Sequence, residues 1–281
     1  FGTIIALGSN GTGANLNGVG QLSNAAGAVI EGAQSGVGIG SFNGTSASGI
    51  GTVSNLGTIL STGTGFSTAV NLRAGGSVTN GASNATAALI EGTGVGIQIG
   101  FNNGTSASGI GTVVNYGSIE SSGTNSGGVS LQAGGNVTNA AGGLIDGPQF
   151  GVNIGVNNGA SGLGAGTIAN FGTILGAAGV NLQAGGSVTN GGSGNTAALI
   201  EGVSQAVQIG FSNLFNGGTV VGGVGTVSNL GTILATGSSG GGVNLQGGGS
   251  VINGGPGFTT ALIEGPGGGV QTGTFNGTIG G

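Results

Sequence analysis

The sequence is informative first through what it lacks. Its 281 residues contain no cysteine, histidine, methionine or tryptophan, and Arg73 is the single basic residue. Without His and Cys the usual soft metal ligands and the usual acid, base and thiol catalysts are missing. One cation is too few to hold the phosphates of a nucleic acid. We therefore expect no metal, no cofactor, no catalytic residue and no nucleic-acid partner, and we expect that the protein is not an enzyme.

Charge and long apolar runs are scarce as well. Charged residues make up 2% of the chain and the formal net charge is −5, so electrostatic repulsion between copies is weak. Glycine and polar residues interrupt every apolar stretch well before the roughly 18 residues of a membrane span, so we expect no membrane insertion. The chain begins without Met and carries no signal sequence, so we expect a segment of a longer protein.

Glycine, with 76 residues, and repetition are what the sequence has in abundance. The hexapeptide Asn-Leu-Gly-Thr-Ile-Leu occurs at 55–60 and again at 229–234. Alignment on it gives a period of roughly 55 to 60 residues that contains a shorter and a longer unit of similar pattern. Units begin with an apolar residue, any residue and Asn. The asparagines of the nine such triplets are Asn24, Asn55, Asn80, Asn115, Asn139, Asn170, Asn190, Asn229 and Asn253.

Two further apolar positions follow each Asn. The first is an isoleucine, such as Ile59 or Ile90, and the second is a pair spaced by two, such as Val70 and Leu72, which is the period of a β-strand. Three short strands per unit predict one coil of a solenoid, and stacked coils would share one core. The sequence therefore predicts an all-β, right-handed parallel β-helix of about ten three-strand coils, arranged as five two-coil repeats, over residues 1–281 as a single array.

The recurring Asn has a structural interpretation. An inward amide at a corner can accept a hydrogen bond from one coil and donate one to the next, which would form a ladder, and Asn also tolerates the left-handed backbone of a corner. We interpret the nine asparagines as this structural ladder. A surface row that contacts a ligand is the alternative.

The acidic residues fall at one position of the repeat, directly after Ile. They form a predicted acidic column of Glu31, Glu91, Asp146, Glu201 and Glu264, and Glu120 follows the equivalent Ile of a shorter unit. Members two coils apart would be separated by about 10 Å, near the carboxylate spacing of inverting glycosidases. A solvated column that limits lateral aggregation is the preferred interpretation, with weak cation binding and catalysis as alternatives.

The longer units also carry an extra excursion after their last strand. These loops would emerge on one side of the rod, where repeat proteins usually bind their partners. Their aromatic rings would either stack on sugars or fold back over the core edge. The candidate recognition residues are Phe42, Asn43, Phe101, Asn102, Asn157, Phe211, Phe215 and Phe275.

The repeats "GTVSNLGTIL" and "GVNLQAGGSVTNGGSGNTAALIEG" resemble the glycine-rich passenger repeats of bacterial autotransporter and filamentous-haemagglutinin-like surface proteins. The resemblance covers essentially the whole chain. It implies export from a Gram-negative cell and a place on the cell surface or outside it, as a stalk, adhesin or fibre. The partner would be another copy of the chain, head-to-tail or laterally, and surface glycans are a further candidate. The alternatives are a carbohydrate-binding module that uses the loops of alternate coils and a polysaccharide-active β-helix enzyme.

Overall fold

The computed structural model describes residues 2–42, 46–65, 67–102, 107–155, 164–210 and 223–273. Every regular element in these ranges is a β-strand, and almost all of the strands pair in parallel. The strands form three stacks, which we call faces A, B and C in the order in which the chain visits them. One circuit through the three faces is a coil. Coils are numbered 1 to 10 along the chain, and the described part of coil 1 has strands on faces B and C.

Face A begins each circuit and has one strand in each of coils 2 to 10. Like positions lie opposite one another, for example Val78 opposite Val53 and Asn80 opposite Asn55. Its strands are Gly20–Asn24, Gly51–Asn55, Gly76–Asn80, Gly111–Asn115, Gly135–Asn139, Gly166–Asn170, Gly186–Asn190, Gly225–Asn229 and Gly249–Asn253.

Faces B and C complete the circuit and are joined at a bend. The face B strands are Thr3–Ala6, Val29–Gly32, Thr58–Ser61, Leu89–Gly92, Ser118–Ser121, Thr232–Ala235 and Leu262–Glu264. The face C strands are Thr12–Leu16, Ser35–Ile39, Thr68–Leu72, Val95–Ile99, Gly127–Leu131, Gly241–Leu245 and Gly268–Thr272. In coils 6, 7 and 8 one long strand runs through both faces: Leu144–Ile154, Thr173–Leu182 and Leu199–Ile209. The pairing register shifts at the bend in these three coils, between Gly147 and Phe150 for example.

The core is a set of apolar columns that run the length of the stack. Each of coils 2 to 9 contributes one apolar residue from face A, one isoleucine from face B and a pair from face C, as Val113, Ile119, Val129 and Leu131 do in coil 5, all at 0% exposure. A single coil could not bury these side chains, whereas its two neighbours cover them completely. The predicted parallel β-solenoid of ten coils in five pairs is confirmed. The hand of the coil stays a prediction from the crossover rule.

The ladder asparagines do not use the left-handed backbone that asparagine tolerates, since every described residue with positive φ is a glycine. The turn falls on a neighbour instead, as at Gly81 with a φ of 79°, directly after Asn80. The asparagine can therefore stay in the strand and point its amide inward.

Candidate functional site

The nine asparagines form one unbroken hydrogen-bonded ladder inside the rod. Each Nδ2 donates to the Oδ1 of the asparagine in the next coil, at distances between 2.7 and 2.9 Å. All eight bonds point the same way, from the N-terminal to the C-terminal coil. The ladder asparagines from Asn55 to Asn229 are at 0% exposure, so their amides form hydrogen bonds within the protein and none with water.

Each ladder amide also fastens the corner between faces A and B. The Nδ2 atom of Asn115 donates to the carbonyl oxygens of Gly117 and Leu144, both at 2.9 Å, as well as to Asn139. Its Oδ1 accepts from Asn80 and from the backbone N–H of Gly117 at 3.2 Å. A buried amide is stabilising when its donors and acceptors are paired, and here every one is.

The glycine of the Asn-x-Gly corner is required by close approach. A Cβ on Gly117 would lie 2.2 Å from the carbonyl oxygen of Ala88, in the corner of the coil before it. The corners at Gly57, Gly172 and Gly231 have the same contact, at 2.2 to 2.3 Å. The repeated hexapeptide is therefore a corner motif: Asn supplies the ladder, Gly the close corner, and Ile the core.

Sequence analysis missed a second glycine column. Each face A strand begins with a glycine two residues before its apolar residue, and these glycines lie opposite one another in all nine coils. At Gly135, where φ is 139°, a Cβ would lie 2.0 Å from the carbonyl oxygen of Gly111. The signal was present in the sequence as Gly-x-apolar-x-Asn, repeated without exception.

The acidic column lies on the outer surface of face B. Glu31, Glu91 and Glu201 are half-buried and Glu264 is exposed. Glu120 lies directly opposite both Glu91 and Asp146, so three carboxylates follow one another on consecutive coils, about 4.8 Å apart along the rod. In the other coils of the column a leucine such as Leu175 separates the acids. Among the described residues no group of three or more His, Cys, Asp or Glu side chains converges to hold a metal ion.

Asp146 differs from the other acids because burial raises the pKa of its carboxyl group above the ordinary value of 3.8. The folded state therefore binds this proton more tightly than the unfolded state. The stability that this proton contributes is fully present below pH 3.8 and is lost as the pH rises through the raised folded pKa. At neutral pH the carboxylate, which also faces Glu120, works against folding.

We expect Asp146→Asn to raise the melting temperature at pH 7 by a few degrees, because the amide needs no charge at this half-buried position. The gain should shrink towards zero at about pH 3, where wild-type Asp146 is itself protonated. Thermal melts followed by circular dichroism at the two pH values measure this. A gain of equal size at both values, or a loss at pH 7, would contradict the linkage to the Asp146 carboxyl.

The predicted recognition loops are described only in part. Phe101–Asn102 pairs antiparallel with Ala107–Ser108, and Ser41–Phe42 pairs in the same way with Ala47–Ser48, so two of the excursions begin as short hairpins. Phe101 is half-buried. The candidate residues Asn43, Asn157, Phe211, Phe215 and Phe275 lie outside the described residues.

A different set of hairpins was missed. They occupy the corner between faces A and B at residues 81–88, 191–198 and 254–261, each closed by an antiparallel bridge such as Gly192 with Asn195. The signal was the distance from the ladder Asn to the core Ile. That distance is four residues in Asn170 to Ile174 and ten in Asn190 to Ile200, and the longer spacing needs a protruding loop.

An outward row of amides and hydroxyls lines face C. It includes Ser130, Asn153 and Asn181, which are at 9%, 8% and 6% exposure, so these three outward side chains are largely shielded from water. Asn181 Nδ2 donates to Asn153 Oδ1 at 3.0 Å. In the described part of the chain the Oδ1 atoms of Asn71, Asn181 and Asn244 are buried without a partner. The row therefore lacks the complete pairing of the interior ladder.

No family model, no curated protein and no solved structure matches the chain. None of the described residues forms a helix of the length and apolarity required to cross a bilayer. Any functional assignment must therefore come from the geometry of the rod and its corners.

Proposed function

We propose that this chain is a non-enzymatic structural protein that forms a stalk, adhesin or fibre at a cell surface by stacking β-solenoid coils. The observation that carries the proposal is the continuous interior, in which one asparagine ladder and uninterrupted Ile, Val and Leu columns link coil to coil. Such a rod is extended along one axis by addition of identical units, about 4.8 Å for each coil.

The setting we propose follows from the repeat style. The glycine-rich units resemble passenger repeats of autotransporter and filamentous-haemagglutinin-like surface proteins, which supports an extracellular or surface location on a Gram-negative bacterium. A chain without cysteine cannot be trapped by disulfides during export, and that is consistent with this setting.

The two ends of the described stack are complementary. Asn24 donates to Asn55, and among the described residues no amide of a preceding coil donates to its Oδ1. At the other end Asn253 accepts from Asn229, while its Nδ2 donates to the carbonyl oxygen of Ala261 at 3.2 Å. A head-to-tail contact would join the open strand edges of coils 10 and 1 on faces B and C and keep one direction of stacking, whereas two like ends would oppose identical edges. We propose a second copy of the chain, stacked head-to-tail, as the partner.

Substitution at an end of the stack tests this assembly. Ile4 belongs to the core isoleucine column of coil 1 and is 48% exposed. We expect Ile4→Asp to abolish filaments, because a carboxylate would have to be buried in the joint between two copies. Ile110→Asp is the matched control, since Ile110 is 68% exposed at the boundary of coils 4 and 5, away from both ends. Electron microscopy and sedimentation velocity measure filament length.

Residues 1–281 on their own should form filaments with an axial repeat of about 50 Å, given by roughly ten coils at about 4.8 Å. Ile4→Asp should stay monomeric with an unchanged melting temperature, and it should also cap wild-type filaments when mixed in, because its other end is intact. Monodisperse wild-type rods, or equal filaments from both variants, would overturn head-to-tail stacking.

A further inference from the structure

A surface cavity lies at the corner between faces A and B, and the stacking of the coils does not require it. It lies beside Phe171 of coil 7, between the short corner of coil 6 and the hairpin of coil 8. Its two lobes have volumes of about 400 and 560 Å³ and share Ala141, Phe171, Gly194 and Asn195. We call it the Phe171 notch, lined by residues 138, 140–144, 171–173, 192–195 and 197.

The notch exists because neighbouring corners differ in bulk. Coil 6 turns with two alanines and two glycines, and a Cβ on Gly142 would meet no atom within 4 Å. Coil 8 carries the hairpin 191–198, whose Gly192 lies against one side of the Phe171 ring: a Cβ there would be 3.2 Å from Cε1. The half-buried ring therefore has a fixed side against the hairpin and a side that faces the lobes.

Asn195 holds this geometry in place. Its Nδ2 donates to the carbonyl oxygen of Phe171 at 2.5 Å, and its Oδ1 accepts from the N–H of Ala197 at 3.1 Å. The hairpin is thereby tied to the residue that it covers. A site whose walls are already fixed loses little conformational freedom when a ligand enters, which favours binding.

The residues that line the notch indicate which class of ligand it would bind. It contains one aromatic ring and the hydroxyl groups of Thr138, Thr173 and Ser193, and it contains no Asp, Glu or Arg. Uncharged walls favour an uncharged ligand, and the combination of an apolar platform with hydroxyl groups matches a ring that has one C–H face and a rim of hydroxyls. The lobe volumes fall in the range of small-molecule sites. We propose that the Phe171 notch binds a segment of a neutral saccharide.

The chain contains its own comparison. The hairpins of coils 4 and 10 follow Leu56 and Leu230, which occupy the position of Phe171 in their corners, and the counterpart of Asn195 in coil 4 is Ala85. Of these three described hairpins, the one in coil 8 alone combines an aromatic platform with an asparagine clamp. Leucine fills the place of Phe171 beside both of the other hairpins, so stacking of a hairpin on this corner does not require an aromatic ring.

Phe171→Leu is the decisive variant, because leucine at two equivalent corners shows that the fold accepts it. Saturation-transfer NMR with cellohexaose, xylohexaose, maltohexaose and chitohexaose at millimolar concentration provides the readout. We expect at least one of them to bind the wild type through its ring C–H protons, and Phe171→Leu to weaken that affinity about tenfold. Phe171→Tyr should retain binding, and Leu230→Ala, at the equivalent corner of coil 9, should leave it unchanged.

The proposal is overturned if none of the four oligosaccharides binds, if Phe171→Leu binds as well as wild type, or if the notch takes 1-hexanol in preference to all of them. Melting curves confirm that each variant is folded. The inference does not depend on assembly: Ile4→Asp should bind the saccharide as well as wild type does, so a failure of filament formation and a failure of saccharide binding are separate results.

Discussion

Asn115→Ala should destabilise the centre of the rod by about 3–5 kcal/mol, the largest loss that we expect from any single side chain on the interior ladder. The substitution removes one amide whose two Nδ2 hydrogens are shared among three acceptors and whose Oδ1 accepts two hydrogen bonds. Asn139 then keeps a buried Oδ1 without its donor, and Asn80 loses an acceptor for its Nδ2. Because the site is at 0% exposure, water cannot replace these bonds without opening the stack.

Hydrogen exchange is the appropriate measurement, since a solenoid can open locally without unfolding as a whole. Protection should fall most at coils 4 to 6. Asn71→Ala is the matched control in a short coil, because the Oδ1 of Asn71 has no partner on the outer face, and it should cost less than about 1 kcal/mol. Asn253→Ala, at the exposed end of the ladder, should fall between the two. Equal losses at all three positions would show that the ladder is not what holds the coils together.

Asn115→Asp tests the same ladder by charge. A carboxylate is nearly the same shape as the amide but cannot donate, and it would be charged in the core. We expect the variant to be at least as unstable as Asn115→Ala at pH 7. It should recover part of the loss at about pH 4, where the protonated acid can donate one hydrogen bond. A loss that is independent of pH would indicate that the hydrogen bonds of the amide are not the cause.

Gly135→Ala should destabilise the rod by about 4 kcal/mol or more, through backbone rather than side-chain chemistry. Two effects add at this residue. Its φ of 139° is rarely adopted by residues with a Cβ, and the new methyl group would lie 2.0 Å from the carbonyl oxygen of Gly111. Neither atom can move without breaking the face A pairing of coils 5 and 6.

Two other glycines separate these effects. Gly142 has a φ of 80°, and a Cβ added to it would have no atom within 4 Å, so Gly142→Ala should cost only the conformational term, about 1–2 kcal/mol. Gly18 has neither positive φ nor a close neighbour, and Gly18→Ala should be close to neutral. Urea denaturation of the three variants gives the ranking. If Gly142→Ala proved as damaging as Gly135→Ala, the close approach to Gly111 would not be the cause.

The architecture could be predicted because the apolar residues and the asparagine of each coil recur in the same order along the sequence. The triplet that ends in Asn55, the isoleucine at 59 and the Val70 and Leu72 pair mark three strands, and their recurrence fixes how coils stack. Register in a parallel stack places like residues opposite one another, so the ladder follows directly from the repeated Asn.

The corners could be predicted less well, because they depend on contacts between coils rather than on the local pattern. The close approach of Gly117 to Ala88 joins residues from successive coils, and no single repeat contains both partners. The Phe171 notch depends likewise on three successive corners of unequal size. In the sequence Phe171 is only the variable residue of an Asn-x-Gly corner. Its surroundings come from the hairpin of coil 8, which lies beside it only in the folded chain.

The alternation of short and long coils also defines how such a protein can change length. Gly111 and Gly166 occupy the same place at the start of the short coils 5 and 7, each opposite the glycine of its neighbouring coils. Excision of residues 111–165 would join Ile110 to Gly166 and remove one whole pair of coils, with every face A position still opposite its like. Recombination between the segments that encode these pairs would therefore change the number of coils and leave the ladder and the core columns continuous.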